Sequence, residues 1–392
     1  MAEKMKNYKK RASFLVFGSP AIGEEEIAEV VKVLRSGWVG TGPKVAQFTQ
    51  DFAAYKQAKY AVAVNSATAA LHLSFLASGL KPGDEVITTA NTFCATVNAI
   101  IHTGATPVLV DVDPATSNLD TTRVEAAVTS RTRAICPVHF AGLPCDMDEI
   151  ERISVKNGLS IVEDCAHAIE TQYKGRPVGT IGDFGCFSFY ATKNVVTAEG
   201  GMILAREERH ADRLNILGLH GMSKDAWKRF GDAGYKHYQV VDAGFKYNMT
   251  DIQAAMGIHQ LARVEKNWIR RKKIWETYTD RLKHLPLGLP APAAPTDRHA
   301  YHLFPIRIDE SKTGIARDDF LNQMTVRNIG VGVHYLSIPE HPYYQQAFGW
   351  KPDDFPEAKA YGRQTVSLPL SAKLTDDDVE DVILAVENIL SP

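Results

Sequence analysis

Between residues 59 and 205 the chain repeats one theme, a short β-branched apolar run followed by a stretch whose apolar residues recur at helical spacing. Runs at 60 to 64 and 85 to 89 lead into helical patterns at 68 to 78 and 92 to 102. Further runs at 107 to 111 and 134 to 138 continue the series, and the helical 148 to 156 precedes a run at 160 to 163. Strands that alternate with helices pair in parallel through right-handed crossovers, because a parallel connection needs an element to carry the chain back across the sheet. The theme predicts one layered α/β domain, with two further strands at 185 to 190 and 201 to 205.

Beyond Thr250 the pattern changes. Leu261, Val264, Trp268, Trp275, Tyr278, Leu282 and Leu285 recur at steps of three, four and seven, which predicts one long amphipathic helix. Pro286, Pro290, Pro292 and Pro295 then exclude helix and sheet interior, so this stretch is a stiff connector. A strand over 301 to 308, a helix over 317 to 327 and a strand over 331 to 335 predict a smaller α+β unit. The expected division is 1–255 for a large domain with an N-terminal arm and 256–392 for a small one.

Composition narrows the partners. Of the 392 residues 45% are apolar, enough for a large core, and 44 Lys+Arg against 46 Asp+Glu leave a formal charge of -2. That balance gives no general attraction to nucleic acid or to an anionic membrane surface, so any anionic ligand must be held locally. No apolar stretch approaches the length of a membrane span. The basic start runs into Gly18, Ser19 and Pro20 after too short an apolar stretch for a signal peptide, and is expected to be a floppy arm. Five scattered cysteines without a C-x-x-C pair argue against a disulfide framework or a zinc knuckle; no metal is expected, and the cytoplasm is the expected compartment.

Three motifs carry chemistry. In NSATAAL, residues 65 to 71, Ser66, Ala67 and Thr68 open a helix directly after a strand, and small residues there let backbone N–H groups approach an anion. Plain helix capping explains the same residues. In SIVEDCAHA, residues 160 to 168, Asp164 ends an apolar strand, at the edge where ligands of α/β sheets gather, and it also suits a helix cap. In FSFYATKNVVTAEGGM, residues 187 to 202, Lys193 closely follows a strand, where partial burial would favour its free amine. Together these are the groups pyridoxal phosphate requires: an amine for its aldehyde, a carboxylate for its ring nitrogen and a helix N-terminus for its phosphate. Their chain order resembles that of fold-type I pyridoxal-phosphate enzymes. A GxGxxG dinucleotide fingerprint after a strand and a P-loop are both absent.

The stretches SGWVGTGPKVAQF (36 to 48), NSATAALHL (65 to 73), GDEVITTANTF (83 to 93), GATPVLVDVD (104 to 113), VEDCAHA (162 to 168), FSFYATKNVVTAEGG (187 to 201) and GFKYNMTDIQAAMG (244 to 257) resemble the DegT/DnrJ/EryC1/StrS family of nucleotide-sugar aminotransferases. Within it, the likeness is nearest to the UDP-4-amino-4-deoxy-L-arabinose synthase type. The resemblance implies the fold-type I architecture, a large domain with a mixed, mostly parallel sheet and a smaller C-terminal α+β domain. It implies Lys193 as Schiff-base lysine and proton shuttle, and Asp164 as partner of the pyridine nitrogen. Ser66, Ala67, Thr68 and Ser188 would bind the phosphate, Phe93 would cover the ring and His167 would bond the ring hydroxyl. Asn248 would reach the phosphate from a neighbouring subunit, making a homodimer with shared sites. His334, Tyr335 and the loop 221 to 244 are candidates for the sugar-nucleotide pocket. Two features depart from the family pattern, the arm before Phe14 and Cys165 where a small alanine is usual.

The expected reaction moves an amino group, from glutamate, onto a nucleotide-linked keto sugar such as a UDP-4-keto-pentose by ping-pong kinetics, in polysaccharide or lipopolysaccharide biosynthesis. A sugar dehydratase of the same fold and a non-enzymatic sensor are the alternatives. Related deoxygenating enzymes carry histidine in place of the lysine, so Lys193 favours amino transfer.

Overall fold

A computed structural model describes residues 10–223 and 238–390. Eleven strands are present among them: β1 (Tyr60–Val64), β2 (Glu85–Thr89), β3 (Thr106–Val110), β4 (Thr132–Cys136), β5 (Ser160–Asp164), β6 (Gln172–Tyr173), β7 (Arg176–Pro177), β8 (Phe184–Ser188), β9 (Gly201–Ala205), β10 (Phe304–Arg307) and β11 (Thr365–Leu368). Seven of them form one sheet in the order β1-β9-β8-β5-β4-β2-β3. Pairing is parallel from β3 through β8, and β9 alone runs against its two neighbours. The sheet is therefore mixed and mostly parallel, as expected for this α/β fold.

Alternation along the strands divides the apolar side chains between two faces. Ile135, Ile161, Met202 and Leu204 pack into one core, with Phe48, Phe52 and Phe189. Ala134, Cys136, Val162, Ile203 and Ala205 pack into the other, beneath the helix Ala67–Ala77. Covering both faces is why these strands read as near-continuous apolar runs. A third core joins β10 and β11 to the helices Val264–Leu282, Arg317–Val326 and Asp376–Leu390, through Trp275, Tyr278, Phe304, Phe320 and Val382.

Three sequence expectations change. The long helix after Thr250 is two helices, Asp251–Ala262 and Val264–Leu282, separated at Arg263, whose φ of -110° and ψ of 11° leave the helical region. The first spans the proposed domain division at 255, and its buried Ala254 and Leu261 join the first core. No strand forms over 331 to 335; Gly332 makes one isolated bridge to Ser367, and just beyond the segment the Ile338 N–H donates to Ala90 O of the large domain at 2.9 Å. The arm is docked from Arg11 onward. Leu15 exchanges backbone bonds with Asn328 and Gly330, each at 2.8 Å, and Arg11 pairs with Asp378 at 2.8 Å. Residues 1 to 9 lie outside the described residues. Among the described residues no helix is long and apolar enough to cross a membrane.

Candidate active site

The carboxyl ends of β1, β5 and β8 bring the three motifs to one edge of the sheet, the place where α/β folds bind ligands. Between them lies a cavity of about 490 Å³ lined by Ser66, Ala67, Thr68, Phe93, Asp164, His167, Ser188, Lys193, His334 and Tyr335. All the residues predicted from the sequence are in this lining except Asn248. That residue lies on a separate groove with Thr41 and Tyr60, and its Nδ2 donates to Thr41 Oγ1 at 2.6 Å.

Ser66 caps the helix Ala67–Ala77, its Oγ accepting from the Ala69 N–H at 3.1 Å. The first N–H groups of a helix lack internal partners, and Ala67 and Thr68 border the cavity. A Cβ on Gly201 would stand 2.6 Å from the Ser66 carbonyl carbon and 2.9 Å from the Ala67 nitrogen, so only glycine lets β9 lie this close to the helix start. This small, donor-rich rim fits a phosphate.

Asp164 lies on the cavity floor. Thr96 Oγ1 donates to its Oδ2 at 2.8 Å, and the Ala166 N–H donates to its Oδ1 at 3.1 Å. Because the Thr96 proton is committed there, Thr92 Oγ1, 2.8 Å away, donates to Thr96. Burial raises the Asp164 pKa, against the pull of these bonds and of Lys193. A cationic ring nitrogen beside the carboxylate would relieve that cost, so the site suits a protonated pyridine.

Lys193 occupies the loop between β8 and β9. Burial lowers its pKa to about 8 although Asp164 pulls the other way, and its side chain still reaches the cavity. His167 is neutral, since burial first and then the charges of Lys193, His302 and His334 hold it well below the usual imidazole value. Its Nδ1 accepts the Ala141 N–H at 3.3 Å, which places the proton on Nε2, directed at Tyr335 Oη 3.0 Å away. Burial keeps Tyr335 a phenol. The imidazole thus orients Tyr335, and the phenol offers its own proton to the cavity. His334 is turned to Ser367 Oγ at 2.8 Å, and burial lowers its pKa to about 4. Phe93 is 57% exposed over the cavity, 5.8 Å from the Tyr335 ring. A large aromatic left open to water above a polar floor is suited to covering a planar ligand.

Thr92, Thr96, Tyr190 and Glu199 also line the cavity and were not anticipated. No periodicity marks a threonine that supports a carboxylate 68 positions away. Of the loop 221 to 244, residues 224 to 237 lie outside the described residues. Cys165 packs into the first core beside Gly179 and does not line the cavity. It neighbours His139 and Glu163, whose polar atoms are already committed: Glu163 accepts from Gly179, Ile181, Gly182 and His139.

The model for the DegT/DnrJ/EryC1/StrS aminotransferase family matches residues 20–387. The chain is 50% identical to the spore coat polysaccharide biosynthesis protein SpsC of Bacillus subtilis over 383 residues, 97% of this chain and 98% of that one. Among solved structures it is similar to Spr1654 of Streptococcus pneumoniae, assigned as a sugar aminotransferase, in its PMP-form, with a TM-score of 0.90 at 35% identity over 96% of this chain and 98% of that one. It is also similar to DesV of S. venezuelae in complex with a ketimine intermediate, with a TM-score of 0.85 at 34% identity over 94% and 95% of the two chains.

Proposed function

The chain belongs to the DegT/DnrJ/EryC1/StrS aminotransferase family, and on that premise we propose that it moves an amino group from glutamate to a nucleotide-linked 4-keto sugar, with a UDP-4-keto-pentose as the leading acceptor. It is a pyridoxal-phosphate-dependent sugar aminotransferase. The observation that carries the reading is one cavity holding a desolvated lysine amine, a buried carboxylate and an open helix N-terminus.

Pyridoxal phosphate, when bound, supplies an aldehyde that joins an amine and a ring that takes up carbanion electrons. The protein does the rest. Ser66, Ala67, Thr68 and Ser188 would hold the phosphate, Phe93 would cover the ring, and an ionised Asp164 would keep a proton on the ring nitrogen. The Lys193 amine would hold the cofactor through its aldehyde group and would serve as the base that carries a proton to and from the donor α-carbon. His167 aims the Tyr335 phenol, and Tyr335, with the edge of His334 left beside its bond to Ser367, would border the sugar. Asn248, outside its own cavity, would serve the site of a second copy in a homodimer. The two half-reactions use one site in turn, so the kinetics are ping-pong. A soluble cytoplasmic enzyme of polysaccharide biosynthesis fits these properties.

The acceptor is tested by charging the enzyme with glutamate, removing the keto acid and offering UDP-, GDP- and dTDP-linked 4-keto and 3-keto sugars. Recovery of the resting absorbance with a UDP-linked 4-keto pentose is expected, and recovery only with another sugar replaces that assignment. Ser66→Ala is expected to cost about 1 kcal/mol of stability through the lost cap. It should also weaken cofactor binding roughly tenfold through the lost phosphate bond. Melting with and without cofactor reads both, and equal losses in the two states would leave Ser66 as a cap alone.

Lys193 has a pH signature that, among the described residues, it shares only with Lys56, which is buried away from the cavity with its Nζ donating to Ile169 O at 2.8 Å. At pH 8 about half of its amine is uncharged, against less than about 1% for an ordinary lysine. Acylation of the apo protein at low reagent ratio should therefore label Lys193 ahead of exposed lysines, with a midpoint of about 8.

A further inference from the structure

We propose that Asn194 is a positioning residue for Lys193, clamping the tip of the lysine-bearing loop to groups outside that loop. The inference rests on the reading of Lys193 as the reacting amine. The loop leaves β8 at Ser188 and enters β9 at Gly201. Its base is closed by the Phe189 N–H to Gly200 O and the Thr197 N–H to Phe189 O, both 2.9 Å, and its tip turns through the Lys193 N–H to Tyr190 O, also 2.9 Å. These bonds all lie within the loop, so they shape it without fixing where its tip stands relative to Asp164.

The Asn194 carboxamide reaches outward. Its Nδ2 donates to Glu170 Oε2 at 2.8 Å and to Ala300 O at 3.2 Å, and its Oδ1 lies 3.0 Å from His302 Nδ1. Two acceptors on one side and a ring nitrogen on the other admit a single orientation of the amide, which makes His302 Nδ1 the donor. The anchors are themselves held. Glu170 is buried and ion-paired with Arg271 of the helix Val264–Leu282, and the His302 ring lies 4.5 Å from that of His167. On the other side of the lysine, Thr192 packs against Gly18, where a Cβ would lie 2.7 Å from Thr192 Cγ2. The lysine stem is flexible, so the placement of its amine depends on how firmly the neighbouring backbone is held. A displacement of about 1 Å at a reacting group costs on the order of 10²-fold in rate.

The test compares Asn194→Ala with Asn194→Gln, which keeps the carboxamide but moves it by one methylene. In the apo proteins, acylation at Lys193 is mapped by peptide mass as a function of pH. The wild-type midpoint is expected at about 8. In both variants it should rise by about one unit, because a loosened tip admits water, and labelling at pH 7 should slow roughly tenfold. In the loaded enzymes kcat should fall roughly 10- to 100-fold while KM for the keto sugar stays within about twofold. A lowered Tm with midpoint and kcat unmoved would mark a structural asparagine and overturn the proposal. Should the alanine variant not fold, the glutamine variant decides on the same readouts. A wild-type protein in which Lys193 is not among the early-labelled lysines would overturn the reading of Lys193, and this proposal with it.

Discussion

Lys193→Ala is expected to lower turnover by on the order of 10⁴-fold or more, because one amine is asked to do two jobs. On the proposed mechanism it would hold the cofactor carbon and move the proton in both half-reactions. No second lysine or arginine lines the cavity among the described residues, and the two histidines there are held neutral by burial. His167 is committed to Ala141 and Tyr335, and His334 faces Ser367. Neither is placed to take over the proton. Single-turnover measurements with glutamate and with the keto sugar would each show the loss, since the same shuttle serves both halves. A variant within about tenfold of wild type in either half would remove Lys193 from the mechanism.

Asp164→Asn should lower kcat by about 10²- to 10⁴-fold without harming the fold, and the contrast is the informative part. The amide is nearly isosteric, and its carbonyl oxygen can take over a bond from Thr96 or from the Ala166 N–H. With the carbonyl on the Ala166 N–H, the amide NH2 donates to Thr96 Oγ1, whose proton turns to Thr92 Oγ1, so the bonds are kept and the charge is lost, and with it the proposed support for a proton on the ring nitrogen. The sign of the stability effect follows from the raised pKa of Asp164. A carboxyl whose folded pKa lies above its unfolded value is destabilising once the pH exceeds that unfolded value, and costs nothing in the acid range where both states are protonated. At pH 7 the empty Asn variant is therefore expected to melt no lower than wild type, while the cofactor stabilises it less. Thermal melts of the apo and loaded proteins separate the two effects. A variant that loses activity only because its apo form melts early would point to a structural carboxylate instead.

Much of the large domain was legible because its strands and helices are local patterns. The run at 160 to 163 became β5, Ser160–Asp164, and the helical spacing at 68 to 78 became the helix Ala67–Ala77. Periodicity reports the face a residue presents, and in a sheet covered on both sides nearly every strand residue presents an apolar one. The errors came where period and length cannot decide. The apolar steps continue through Arg263, so nothing in them announces the break between the helices Asp251–Ala262 and Val264–Leu282. The β-branched 331 to 335 resembles a strand but finds only one bridge, because its residues are drawn to the cavity.

Residue types and chain order determined the chemistry: a lysine behind a strand, an aspartate at a strand end and small hydroxyl residues at a helix start together admit few cofactors. Tertiary structure decided which of them stand together, and by what support. Thr96 beneath Asp164, the proton of His167 turned to Tyr335, Asn194 tied to Glu170 and His302, and the seat of Asn248 outside its own cavity are all contacts between residues far apart in the chain. Such pairs leave no trace in local spacing, since what joins them is the closing of the sheet and the packing of the small unit against it.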